Sequence, residues 1–160
     1  MSINLGKGKS ASGRSISEIE DFIGDKLDSE LKLFFLSNDG SSPESNYFPV
    51  GGRKYMGGIN KFIAASDVLS ERIHIDGIGK KAFPIAFSAG GNYVVIDFEK
   101  TRGGVYFWDH ERHGDMIKIS NNFRDFLNLL QPFDASSVKL EPGQVKRVWI
   151  DPEFIKKIRD

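Results

Sequence analysis

The chain has 160 residues, a formal net charge of zero from 22 basic and 22 acidic side chains, and no cysteine. That length suits one domain burying on the order of 70% of the surface its unfolded form exposes, so folding requires no metal, disulfide or cofactor. The missing cysteine excludes a disulfide scaffold, thiol catalysis and cysteine-ligated zinc or iron–sulfur sites, and the balanced charge argues against non-specific binding to nucleic acid or anionic membranes. No stretch approaches the ~18 apolar residues of a membrane span, and the basic N-terminus lacks the apolar core of a signal peptide. A soluble, cytoplasmic protein is expected. Its thirteen phenylalanines suit the core of an α+β scaffold, with some available as partner anchors.

Residues 1–14 are rich in Gly, Ser and Lys and carry too little apolar surface to offset the entropy of ordering, so a disordered tail is expected there. Ser15 and Ser17 each stand three residues before a glutamate, Glu18 and Glu20, as overlapping capping boxes. Ile16, Ile19, Phe22 and Ile23 recur at helical spacing, which predicts a helix starting near Ser17 and ended by Gly24. Asp28 or Ser29 can cap a second short helix with Leu31, Phe34 and Phe35 on its apolar face, stopped by Asn38-Asp39-Gly40. Ser41 to Gly58 is dense in Gly, Ser, Pro and Asn and reads as a mobile, loop-rich region. It holds one aromatic island, Asn46 to Val50, that can form a strand closed by Gly51-Gly52. Ile59, Phe62 and Ile63 fit either a further strand or the entry to a helix around Asp67 to Arg72, with Ser66 or Asp67 as its cap.

The strand pattern then sharpens. Phe83 to Phe87, Tyr93 to Phe98 and Val105 to Trp108 are short, β-branched and aromatic, and Gly-rich turns separate them, as in an antiparallel meander. Met116 to Ile119 adds a fourth strand. Ser120 or Asn121 then caps a helix carrying Phe123, Phe126, Leu127 and Leu130 on one face, with Pro132 at its end. Residues 132–160 contain a turn at Glu141-Pro142-Gly143, a strand pattern from Val145 to Ile150 and a helix start at Asp151-Pro152-Glu153. They are expected to form an extension packed on a domain of residues 15–131.

Several of these pieces, in this order, resemble the SUKH superfamily. They are the helix with Ile19, Phe22, Ile23 and Gly24, then Leu27, Phe34-Phe35-Leu36, and the turn Asn38 to Pro43. Further along they are Phe83-Pro84-Ile85-Ala86, Gly90-Gly91-Asn92, Val105-Tyr106-Phe107-Trp108-Asp109-His110-Glu111, and Phe123 to Leu130. The resemblance runs from about Ser17 to Leu130, and its most specific part is the pair Gly-Gly-Asn then Val-Tyr-Phe-Trp-Asp-His-Glu. It departs mildly at Leu27-Asp28, where the family often has Leu-Pro, and at Asp39-Gly40-Ser41, where a double glycine is common. That superfamily includes a fungal cell-wall synthesis regulator and many bacterial immunity proteins. The resemblance implies a single α+β domain, a mostly antiparallel twisted sheet with helices from both chain ends packed around it. It also implies a non-enzymatic antidote that binds and neutralises a toxin used in bacterial competition. The alternative is a housekeeping regulatory adaptor of the same type, binding cellular proteins.

Asp109, His110, Glu111, His113 and Asp115 gather titratable groups within seven residues. A zinc protease needs two histidines at i and i+4 on one helix face, whereas these stand at i and i+3 behind a strand. A looser metal site in the turn competes with a bland reading in which Asp109 hydrogen-bonds its own turn. His74, His110 and His113 have no nucleophile-elbow sequence nearby, and Gly51-Gly52-Arg53-Lys54 and Gly77-Ile78-Gly79-Lys80-Lys81 lack phosphate-loop spacing. Alternation along Val105 to Trp108 sets Val105 and Phe107 on one face of the strand and Tyr106 and Trp108 on the other. The second pair is either a partner hot spot flanked by acidic groups or a buried pair. The reading is therefore no catalytic, metal or cofactor site. The partner-binding candidates are Tyr47, Tyr55, Tyr106, Trp108, Asp109, His110 and Glu111, the partner a cognate toxin domain, and the protein a monomer or weak homodimer.

Overall fold

The computed structural model describes residues 3–52, 55–112 and 115–133. The first helix, α1 (Gly13–Ile23), buries Ile16, Ile19 and Ile23. It begins earlier than the capping boxes suggest, because Ser12 accepts the Ser15 N–H at 3.1 Å. Neither glutamate reaches back to close a box: Glu18 pairs with Arg14 at 3.0 Å, and Glu20 turns toward the helix end to accept the Leu27 N–H at 3.2 Å. Gly24, at φ 70°, ends the helix as expected. Asp28 then caps α2 (Ser29–Asn38) by accepting the Leu31 N–H at 2.8 Å, and Leu31, Phe34 and Phe35 face inward.

Residues 3–12 are not the disordered tail that composition predicts. Lys9 and Asp39 exchange backbone hydrogen bonds at 2.9 and 2.8 Å, and the Ala11 N–H donates to the Phe35 carbonyl at 2.8 Å. Ile3 and Leu5 pack against the core. The segment has little apolar surface of its own. It is ordered by satisfying a carbonyl that the last turn of α2 would otherwise leave open.

Six strands follow: β1 (Tyr47–Val50), β2 (Tyr55–Phe62), β3 (Ala82–Ser88), β4 (Asn92–Asp97), β5 (Gly104–Trp108) and β6 (Met116–Ser120). They form one antiparallel sheet in sequence order. β2 occupies part of the stretch expected to be loop, because Gly57 is a packing glycine: a Cβ there would sit 2.5 Å from the Phe48 ring. Register shifts between Ile59 and Lys61, between Pro84 and Ala86, and opposite Val105–Tyr106 bend the sheet. It curls until Cα atoms of β1 come within 8 Å of β6.

The hollow face holds the main core, with Phe35, Phe48, Phe62, Phe83, Phe123 and Phe126 all fully buried. α4 (Phe123–Leu129) closes it; its cap is Asn122, one residue beyond the expected Asn121, accepting the Asp125 N–H at 2.8 Å. After α4, Gln131 pairs with Tyr47 by two backbone bonds of 2.9 Å. The expected turn, strand and helix between Glu141 and Glu153 lie outside the described residues.

The outer face carries a smaller core of Ile75, Ala82, Val95 and Trp108. Its cover is the segment after α3 (Val68–Glu71) and a 3₁₀ turn, Arg72–His74. Arg72 fixes this cover by donating to the carbonyls of Ala82 and Gly79, both at 2.8 Å. Trp108 is 7% exposed, and its indole N–H donates to the Asp76 carbonyl at 3.0 Å. Trp108→Ala should cost about 3–5 kcal/mol, as for a truncated core aromatic. Trp108→Phe should lose only about 1 kcal/mol with the hydrogen bond. Urea unfolding of the two variants checks the order.

Candidate functional site: the turn after β5 and the neighbouring surfaces

The sheet ends at Trp108 and runs into a turn whose polar groups bond chiefly to one another. Asp109 Oδ1 accepts the Glu111 N–H at 3.0 Å, and Arg112 Nε lies 3.6 Å from Asp109 Oδ2. His110 is tied to the start of β4. Its backbone N–H donates to Asn92 Oδ1 at 3.1 Å, and its ring Nδ1 lies 2.7 Å from the same oxygen. An oxygen that accepts the amide also accepts from the ring, so Nδ1 carries the hydrogen. Among the described residues no three His, Asp or Glu side chains converge as metal ligands. His113 and Gly114 lie outside the described residues. Asp97, fully buried, likewise serves a turn: its Oδ1 accepts the N–H groups of Glu99 and Lys100 at 2.7 and 3.1 Å.

The seven candidates do not form one patch. Trp108 belongs to the outer-face core, which removes it from the exposed hot-spot pair; the alternation assigned its face correctly, but the chain from Ile75 to Gly79 covers that face. Tyr106 is half-buried, its hydroxyl 3.5 Å from Thr101 Oγ1. Tyr55 meets Phe107 edge-to-face at 6.1 Å on the hollow side, and its buried hydroxyl has no partner among the described residues. Tyr47 stacks on Phe133 at 4.7 Å. Asp109 is half-buried, and only His110 and Glu111 stand out into solvent.

Sequence reasoning passed over two apolar surfaces. One is a cleft of about 380 Å³ where the N-terminal segment meets the end of α4, with Ile3, Leu130 and Pro132 in its walls. The other is the outward side of α2, where Leu33 is 58% and Leu36 39% exposed. The signal for the second was legible, since both leucines fall off the stripe of Leu31, Phe34 and Phe35.

Three ionisable groups depart from their ordinary behaviour. The Lys26 ammonium, 2.9 Å away, holds the Glu20 carboxyl below the usual carboxylate range against the opposing effect of burial. The stability Glu20 adds is therefore lost as pH falls through its lowered folded value. Burial raises the Asp39 carboxyl, against the Ala65 N–H bond that lowers it. Burial, with the Glu71 carboxylate at 2.6 Å, pushes the Tyr93 hydroxyl up to about 12.

The sequence profile of the SMI1/KNR4 family (SUKH-1) matches residues 10–129. The chain belongs to this family. The matched stretch begins just before the Ser12 cap and ends on the last residue of α4, so it takes in every described helix and strand of this SUKH-1 member. A Bacillus subtilis (strain 168) protein, the SPbeta prophage-derived uncharacterized protein YokK, is 35% identical over 81 residues. That alignment covers 48% of this chain and 38% of the relative, well under two thirds of the relative's length. Among the described residues no helix is long and apolar enough to cross a membrane.

Tyr93 gives a direct check of this geometry. An acid whose folded pKa exceeds its unfolded value keeps its proton better when folded, so the associated stability falls as pH rises from 10.0 toward about 12. In an ultraviolet phenolate titration, one tyrosine should ionise late, and Glu71→Gln should move that step to lower pH.

Proposed function

We propose that this SUKH-1 member is a non-enzymatic immunity protein that binds a cognate toxin domain in the bacterial cytoplasm and blocks its active site or substrate path by occlusion. The observation that carries the reading is the family match across residues 10–129, which spans the described helices and the whole sheet. The prophage derivation of the B. subtilis relative favours the bacterial immunity branch of the family over the fungal regulator. The turn that most resembles a reactive centre supports the same reading, because Asp109 and His110 are occupied in holding the turn to itself and to Asn92. Occlusion needs a stable surface and no chemistry of its own.

The test is capture from the native cell with this protein as bait, followed by expression of any captured toxin domain with and without it. Growth should stop with the toxin alone and resume when this protein is co-expressed in stoichiometric amount. His110→Ala and Glu111→Ala should protect as well as the wild type. Lost protection in a folded His110→Ala variant would instead mean that chemistry occurs at the turn.

A further inference from the structure

α2 is apolar on every side. Leu31, Phe34 and Phe35 are buried in the core while Leu33 and Leu36 face outward. A helix with apolar residues all round is normally covered all round, and among the described residues nothing covers these two leucines. Beside them runs a groove of about 190 Å³ whose apolar walls are Leu5, Leu33, Phe34 and Leu127, with Ser37 and Asn38 at one end.

Cations surround this apolar centre. Lys32 lies beside Leu33 along α2 and extends into solvent. Lys7 stands between Gly6, whose carbonyl accepts from Asn38 Nδ2 at 3.3 Å, and Gly8, which is packed onto the Asn38 backbone. Lys9 pairs with Asp39 just past the end of α2. Among the described residues Lys7, Lys9 and Lys32 take part in no salt bridge. On the α4 side, Arg124 bonds Glu30, so the acidic group nearest the groove is already paired. Exposed leucines inside a ring of unpaired like charge have the anatomy of a binding surface, with an apolar centre that supplies affinity and a rim that selects the partner.

We propose that the outward face of α2, centred on Leu33 and Leu36, is the seat of an acidic protein partner, which on the immunity reading is the toxin domain. The sign of the rim selects this occupant over the others. A second copy docked about a two-fold axis would set one basic rim against another. Residues 134–160 carry six basic and five acidic side chains and bring no complementary charge. A nucleic acid would satisfy the lysines and leave the leucines bare.

Two measurements test the seat. The first is the affinity of the captured toxin domain for the wild type and for Leu33→Asp, Leu36→Asp and Lys32→Glu, each first checked for an unchanged thermal midpoint. Either aspartate variant should bind roughly 30-fold more weakly or worse, the range of a hot-spot side chain. Lys32→Glu should weaken binding several-fold at low salt, with the difference shrinking at high salt. The second uses the absence of cysteine: in the free full-length chain, the Leu36→Cys thiol should react with a maleimide as fast as an exposed peptide thiol. Wild-type affinity in the aspartate variants overturns the seat and leaves the immunity reading intact. A wild type that binds no toxin ends the immunity reading and this occupant with it. A protected Leu36→Cys thiol also overturns the seat, and sedimentation then separates self-association from cover by residues 134–160.

Discussion

The ring of Phe34 joins the helices to the sheet. It meets Phe62 of β2 at 4.6 Å and Phe123 of α4 at 5.1 Å, both edge-to-face. Each such pair adds about 0.5–1.5 kcal/mol beyond the burial itself. Phe34 reaches that point only because the link from α1 to α2 is tightly specified: Gly24 ends one helix, Glu20 holds Lys26 and the Leu27 amide, and Asp28 starts the next. Phe48 continues the contact on the other side, reaching Phe126 at 5.4 Å and Phe107 at 6.1 Å. The curl of the sheet follows from this arrangement, since β1 and β5 must close on the same cluster of rings.

How much of this was legible depended on where the ordering came from. β3 to β6 could be read directly, because β-branched and aromatic runs between Gly-rich turns are a local signal. α4 was legible for the same reason and its cap was misplaced by one residue. β2 was hidden by Gly57 and Gly58, which look like loop composition; the need for Gly57 is visible only once the Phe48 ring lies across it. The start of α1 was hidden because Ser12 sits in a Gly- and Ser-rich stretch. The N-terminal segment draws its order from Phe35, Asp39, Glu44 and Ser45, partners 24 or more positions away, and no local window contains them.

The candidate site divides in the same way. The family was legible because its motifs are consecutive strands and turns. The surface was not, since exposure depends on what the rest of the chain lays over each face. Trp108 and Leu33 illustrate the two errors: an aromatic beside charged residues was covered by a distant segment, and a leucine inside an apolar helix was left bare. The turn at Asp109 shows a third case, in which side chains of catalytic type hold one hairpin end together.

The N-terminal segment has a consequence for how the chain folds. Most of the sheet is a meander of neighbours, and the two leading helices are adjacent in sequence, so most contacts form over short loops and at low entropic cost. Residues 4–11 are the exception. They leave the ribosome first, yet the carbonyls and amides they bind, from Phe35 to Ser45, follow only after three dozen or so further residues. The first segment synthesised therefore locks last among its neighbours, closing over a helix pair that has already formed.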